Sequence, residues 1–291
     1  MRLARLRTAD GIVVALGLDG DELVGVDAVL PECPADPLEL LARPDLADKV
    51  RAAVADPETR QRLRADGALH ALDEVDLAAP VVPGKVLCLA LNYRAHAAEG
   101  GFETPPRPVV FLKGPNTVCG HGDDVVVPPV SDRIDHEGEL VVVIGRRARD
   151  LSTQDWPDAV AGYTIINDLT ARDLQLADIE RGHPWDLSKS FDGYGPTGPW
   201  LVSADEVADP QALDLTVTVG GEVRQHASTG DMIFGVGELL CFLSSVLTLE
   251  PGDVIATGTP EGIGPVGDGS TMEVAISGLG VLRNRIRFAA R

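Results

Sequence analysis

Glu137 and Glu139 stand two residues apart in the segment DHEGELVVVIG, 135–145, at the head of an apolar run. In a strand, residues i and i+2 project from the same face. Two like charges on a segment that runs on into Val141, Val142, Val143 and Ile144 repel each other and resist burial unless a cation lies between them. A second apolar run, Ala161 to Ile166, ends in Asn167-Asp168 and can bring a third carboxylate to the same place. Three carboxylates with further positions open to water make a hard-oxygen site, suited to Mg2+ or Mn2+ rather than zinc. The plain alternatives are a solvent-exposed Glu-x-Glu and an Asp168 that caps a helix beginning at Leu169.

Three other stretches carry reactive side chains. In LNYRAHAAE, 91–99, a helix would put His96 and Glu99 on one face, where the carboxylate can orient the imidazole and raise its basicity. A general base acting on water needs that pairing, although a surface ion pair would have the same spacing. In LTARDLQ, 169–175, Arg172 and Gln175 fall within a turn or two of Asp168 if one helix holds all three; an Asp168 to Arg172 pair could equally just support that helix. Lys189 lies among apolar and small residues in WDLSKSFD, 185–192, where an ammonium could stabilise an enolate or simply face solvent. The segment LEPGDVIATGTPEGIG, 249–264, reads as turn, strand and glycine-rich loop, and Gly258 and Thr259 could offer donors to an anion there.

The elements that must position these groups are mostly short strands. Runs at Val86 to Leu91, Val109 to Leu112, Glu139 to Ile144, Tyr163 to Ile166, Pro199 to Val202, Leu213 to Val219, Val254 to Thr257 and Thr271 to Ile276 are separated by few helices, expected at Tyr93 to Glu99, Leu169 to Ile179 and Val236 to Leu247. This predicts a mixed, mainly antiparallel sheet structure rather than a doubly wound parallel one. Residues 1–78 form a small α+β module, with strands at Gly11 to Leu18 and Glu22 to Val26 and helical stretches at Leu38 to Val54 and Pro57 to Asp66. The proline-bounded connector 79–84 divides it from residues 85–291.

Composition narrows the function classes. With 45 acidic against 25 basic side chains, the net charge of −20 argues against nucleic-acid binding and favours attraction of cations. No apolar run is long enough to span a bilayer, and the N-terminus reads as strand rather than signal peptide. Cys33, Cys88, Cys119 and Cys241 are scattered without a Cys-x-x-Cys pair, which fits reduced thiols in a cytoplasmic protein. Only four of the 25 basic residues are lysines, Lys49, Lys85, Lys113 and Lys189, so a retained lysine hints at a need for a compact ammonium charge.

Taken in order, LNYRAHAAE, PVVFLKGPN, DHEGELVVVIG, AGYTIINDLTARDLQ, LSKSFDGYGPTGP, EVRQHASTGDMIF and LEPGDVIATGTPEGIG resemble the fumarylacetoacetate hydrolase family from about Lys85 to the C-terminus. The resemblance implies that family's mixed β-sandwich or roll, mainly β with α, assembled as a homodimer and preceded by the small N-terminal domain. It places the Mg2+ or Mn2+ ligands on Glu137, Glu139 and Asp168 and the water-activating dyad on His96 and Glu99. Arg172, Gln175 and Lys189 are implied to hold substrate oxygens and stabilise negative charge, and Gly258 and Thr259 to receive a substrate carboxylate. Animal-type members bring a further Asp ligand from the region where this chain has Asn92, which points to the three-carboxylate branch.

The expected function is divalent-metal-dependent hydrolysis of a C–C bond in a small β-dicarbonyl 2-oxo acid of the acylpyruvate or fumarylpyruvate kind. Decarboxylation of an oxaloacetate-type acid and isomerisation of an unsaturated 2-oxo diacid in aromatic catabolism are the alternatives that keep the metal. From another class comes an inactive or Ca2+-stabilised metal-binding scaffold. Such a scaffold would have no need of His96, Glu99, Arg172, Gln175 and Lys189.

Overall fold

The computed structural model describes residues 1–18 and 22–290. Its centre is the strand Gly138–Ile144, whose seven residues are all buried. Burial on both faces explains why this stretch reads as a continuous apolar run instead of alternating. Leu140, Val142 and Ile144 enter the larger core with Leu215 and Val274, whereas Val141 and Val143 point the other way, into a smaller core with Val86, Cys88 and Phe111. By the same two-residue period Glu139 belongs to the second side.

Gly138–Ile144 pairs antiparallel with Val160–Asn167 on one side and with Val254–Ala256 on the other. Val254–Ala256 then runs parallel to Val86–Ala90, which pairs antiparallel with Val109–Lys113. In the opposite direction the sheet continues through Gly195–Ser203 to the N-terminal strands Arg2–Thr8, Gly11–Gly17, Glu22–Gly25 and Leu69–Ala71. A second sheet of five strands, Glu222–Ser228, Asp214–Val219, Thr271–Ile276, Gly280–Phe288 and Asp124–Val127, lies across the larger core from the first. Gly138 permits this close approach, because a Cβ there would lie 2.4 Å from Val217 Cγ2.

The expected mixed, mainly antiparallel architecture is observed, with local differences. Leu38 to Val54 is two helices, Pro37–Leu41 and Pro44–Ala55, since Pro44 cannot continue the first and starts the second. The helix expected from Leu169 to Ile179 begins only at Arg172: Thr170–Ala171 is strand, paired with Ile134–His136. The strands Glu222–Ser228 and Gly280–Phe288 were not anticipated. In residues 1–78, Asp36 and Asp56 cap the helices that follow them, and Leu40, Val50 and Leu63 gather in a core of their own beside Leu3, Val14 and Leu16. All four cysteines are free thiols; Cys88 is buried and the others are partly exposed. Among the described residues no helix is long and apolar enough to cross a membrane.

Candidate metal and active site

Glu137, Glu139 and Asp168 come together with one carboxylate oxygen from each within 4.8 Å of the others. Glu137 follows the short strand Ile134–His136, Glu139 is the second residue of Gly138–Ile144, and Asp168 follows directly on the neighbouring Val160–Asn167 strand. A backbone bond from Asp168 N–H to Glu137 O, 2.7 Å, holds the two segments in register. The three side chains are 1–4% exposed, so the solvent-exposed Glu-x-Glu reading fails. Asp168 does not cap a helix and does not share one with Arg172, because the Thr170–Ala171 strand intervenes.

Each carboxylate has its own neighbours. The Lys189 ammonium bridges Glu137 Oε2 at 2.7 Å and Asp168 Oδ2 at 2.6 Å. Lys113, marked in the sequence only as a scarce lysine and given no place in the site, donates to Asp168 Oδ1 at 2.6 Å and to the carbonyls of Tyr194 at 2.7 Å and Leu169 at 3.3 Å. Arg172 donates through Nη2 to Glu137, through Nη1 to Gln175 Oε1 and through Nε to Asp135 at 2.9 Å. Asp135, also unforeseen, is gripped a second time by Arg133. Glu139 accepts the Gly258 N–H at 2.7 Å, and among the described residues no lysine or arginine ion-pairs with it.

This imbalance shifts the acidities. Burial pushes the Glu139 carboxyl well above the usual range, and the charges of Asp168 and Glu137 push it further. Burial acts on Glu137 in the same sense but is overcome by Lys189 and Arg172, which hold its carboxyl below the usual range. Lys189, despite burial, is raised by Asp168 and Glu137 and stays an ammonium. Three clustered carboxylates, one without a cationic partner, fit a divalent cation held by hard oxygen donors. The two oxygens of Asp168 that meet ammonium groups each keep a second lone pair.

His96 lies in the helix Arg94–Glu99, with Nδ1 3.5 Å from Glu99 Oε2. Glu99 accepts the Gly262 N–H at 3.1 Å, so the glycine-rich loop orients the carboxylate that faces His96. His96, Glu99, Glu137, Glu139, Arg172, Gln175 and Lys189 all line one cavity of about 540 Å3. Lys189 ends a 3-10 turn, Asp186–Lys189, and is 3% exposed, not a surface loop residue. Its Nζ sits 5.0 Å from the centre of the Phe111 ring, which packs on Trp185.

The glycine-rich loop is spent differently from expectation. Gly258 N–H goes to Glu139, and the Thr259 hydroxyl donates to Gly138 O at 2.9 Å while accepting from Gln225. Thr259 lines the cavity; Gly258 does not. Gly258 has φ +96°, and a Cβ there would meet Asn92 Cβ at 2.8 Å, so only glycine fits. Asn92 is a clasp: its amide donates to Thr257 O and Phe234 O and accepts the Phe234 N–H. The signals that could have found Lys113 and Asp135 were present, a scarce lysine and a carboxylate two residues before Glu137.

Comparison with known proteins places this geometry. A solved fumarylacetoacetate hydrolase from Exiguobacterium antarcticum is 33% identical with a TM-score of 0.80, covering 99% of this chain and 100% of its own. A 5-carboxymethyl-2-hydroxymuconate delta-isomerase structure from Mycobacterium smegmatis is 33% identical with a TM-score of 0.77 and covers 100% of both chains. An uncharacterized Pyrococcus abyssi protein is 46% identical over 206 residues, 71% of this chain and 91% of that one. Residues 85–287, which contain the whole carboxylate cluster and the dyad, match the description "Fumarylacetoacetate (FAA) hydrolase C-terminal", and the chain belongs to that family, whose members include hydrolases and isomerases.

Proposed function

We propose that this protein hydrolyses a C–C bond in a small β-dicarbonyl 2-oxo acid of the acylpyruvate type. The observation that carries the reading is the His96 and Glu99 pair on the wall of the same cavity as Glu137 and Glu139 of the carboxylate cluster. Mg2+ or Mn2+ held by Glu137, Glu139 and Asp168 would supply a Lewis acid for the 2-oxo carbonyl. His96 takes the proton of a water attacking the distal carbonyl, and Glu99, anchored by Gly262, stabilises the imidazolium. The bond between the attacked carbon and the methylene carbon then breaks, leaving a carboxylic acid and a pyruvate enolate. Lys189, Arg172 and Gln175 offset the enolate's negative charge, and His96 returns its proton to the methylene carbon.

A panel of acylpyruvates, fumarylpyruvate, oxaloacetate and unsaturated 2-oxo diacids, followed spectrophotometrically with Mg2+ or Mn2+, tests the reaction class. Isomerisation is the second reading, favoured by the isomerase named among the similar structures. It needs the enolate-stabilising groups but no activated water. His96→Ala separates the two: hydrolysis should fall on the order of a hundredfold or more, with calorimetric Mg2+ binding unchanged. Full hydrolytic turnover in that variant would exclude the dyad. Loss of Mg2+ binding would mean that His96 supports the metal site.

A further inference from the structure

We propose that the substrate's far end is apolar, an alkyl or aryl group, and that Phe102, Val109, Leu176 and Ile179 select it. The proposal rests on the 2-oxo acid reading only for the charged end of the substrate. Two elements run outward from the carboxylate cluster with the same gradient. On the helix Arg172–Glu180, residues 172, 175, 176 and 179 share one face. Arg172 binds Glu137 and Asp135, Gln175 is 6% exposed, and Leu176 and Ile179 beyond them are 54% and 41% exposed.

The strand Val109–Lys113 repeats the gradient at the strand period. Lys113 holds Asp168, Phe111 lies under Lys189 and against Trp185, and Val109 is 36% exposed. After the His96 helix, Phe102 is 50% exposed and is tethered by its N–H to Ala97 O at 2.8 Å. All four apolar side chains line the cavity that Glu137 and Glu139 also line. Large apolar groups left this open on a concave wall are suited to an apolar portion of a ligand.

Charge points the same way. The lysine and arginines that line the cavity, Lys189, Arg172 and Arg133, are each already ion-paired. Arg133 commits Nε and Nη2 to the two oxygens of Asp135 at 2.8 and 3.0 Å. A second carboxylate at the outer end of a substrate would give up water against Phe102, Leu176 and Ile179, and an uncommitted donor there, Arg133 Nη1, belongs to a guanidinium already neutralised by Asp135.

Titration calorimetry on the Mg2+-loaded protein with 2-oxooctanoate and 2-oxosuberate tests this, since neither has a second carbonyl to cleave. The octanoate should bind at least ~10-fold more tightly, because its tail gains apolar burial and its rival's carboxylate does not. Leu176→Lys and Ile179→Lys, both at exposed positions, should narrow or reverse that order. Equal or tighter binding of 2-oxosuberate by the wild type, or no binding of either acid, overturns the proposal. The apolar preference without cleavage of any acylpyruvate would remove the hydrolase reading and leave the tail specificity standing.

Discussion

In EDTA, Glu139→Gln should melt above the wild type, and added Mg2+ or Mn2+ should then fail to raise its Tm. Both halves follow from one side chain. In the metal-free fold Glu139 is a buried carboxylate beside two others, with its carboxyl pushed well above the usual range by burial and by Asp168 and Glu137. A carboxyl raised in the folded state binds its proton more tightly there than in the unfolded chain. Its effect is therefore neutral below the unfolded value, near 4.3, and stability is lost as pH rises from there up to the raised folded value, where the loss is complete. Glutamine removes that loss, so the gain over wild type should grow with pH. The wild type recovers through the cation instead, by about 2.7 kcal/mol at a concentration a hundred times Kd. An Mg2+-induced shift of wild-type size in Glu139→Gln would remove Glu139 from the ligand set.

The other large effect is expected at Lys113. Its side chain is fully buried, and its ammonium is shared among Asp168, Tyr194 O and Leu169 O. Lys113→Met keeps most of the shape and strands a buried carboxylate with two carbonyls short of a donor. Breaking a buried pair from one side costs ~3–5 kcal/mol, read here from urea unfolding. Replacing Asp168 with Asn in the same chain should restore part of the loss, because the uncompensated charge is gone. A cost below ~1 kcal/mol would show that Lys189 alone suffices to hold Asp168.

Much of this site was legible because strand periodicity is a local signal. The spacing of Glu137 and Glu139 pointed to one place and their carboxylates do meet, although Glu137 sits in the break between two strands and not on a strand face, and the helical spacing of His96 and Glu99 holds in the fold. The start of the helix after Asp168 was not legible, because Thr170–Ala171 becomes strand through pairing with Ile134 and Asp135, some 35 residues earlier. Glu222–Ser228 has no apolar run to betray it; only Gln225 is buried there. Gly280–Phe288 does alternate, with arginines outward and Leu282 and Ile286 inward, and a stricter count of its period would have found it. Lys113 was hidden for another reason: it closes a strand that reads as apolar, and its partner lies 55 residues away. Three of the four lysines prove to sit against buried aspartates or glutamates, Lys85 on Asp253 being the third.

The junction between the N-terminal strands and the rest separates two meanings of a domain. Gly195–Ser203 is buried along all nine residues, and Arg2 and Leu3 pair with Val202 and Leu201 on its outer side. The Met1 amine closes the seam on Ser203 and Glu206. The match to the family description begins at residue 85, but cutting there would leave Leu201 and Val202 of a fully buried strand at an open edge able to template another chain. The stretch by which the family is defined is here smaller than what cohesion requires as a whole, and the similar structures from Exiguobacterium antarcticum and Mycobacterium smegmatis span both parts.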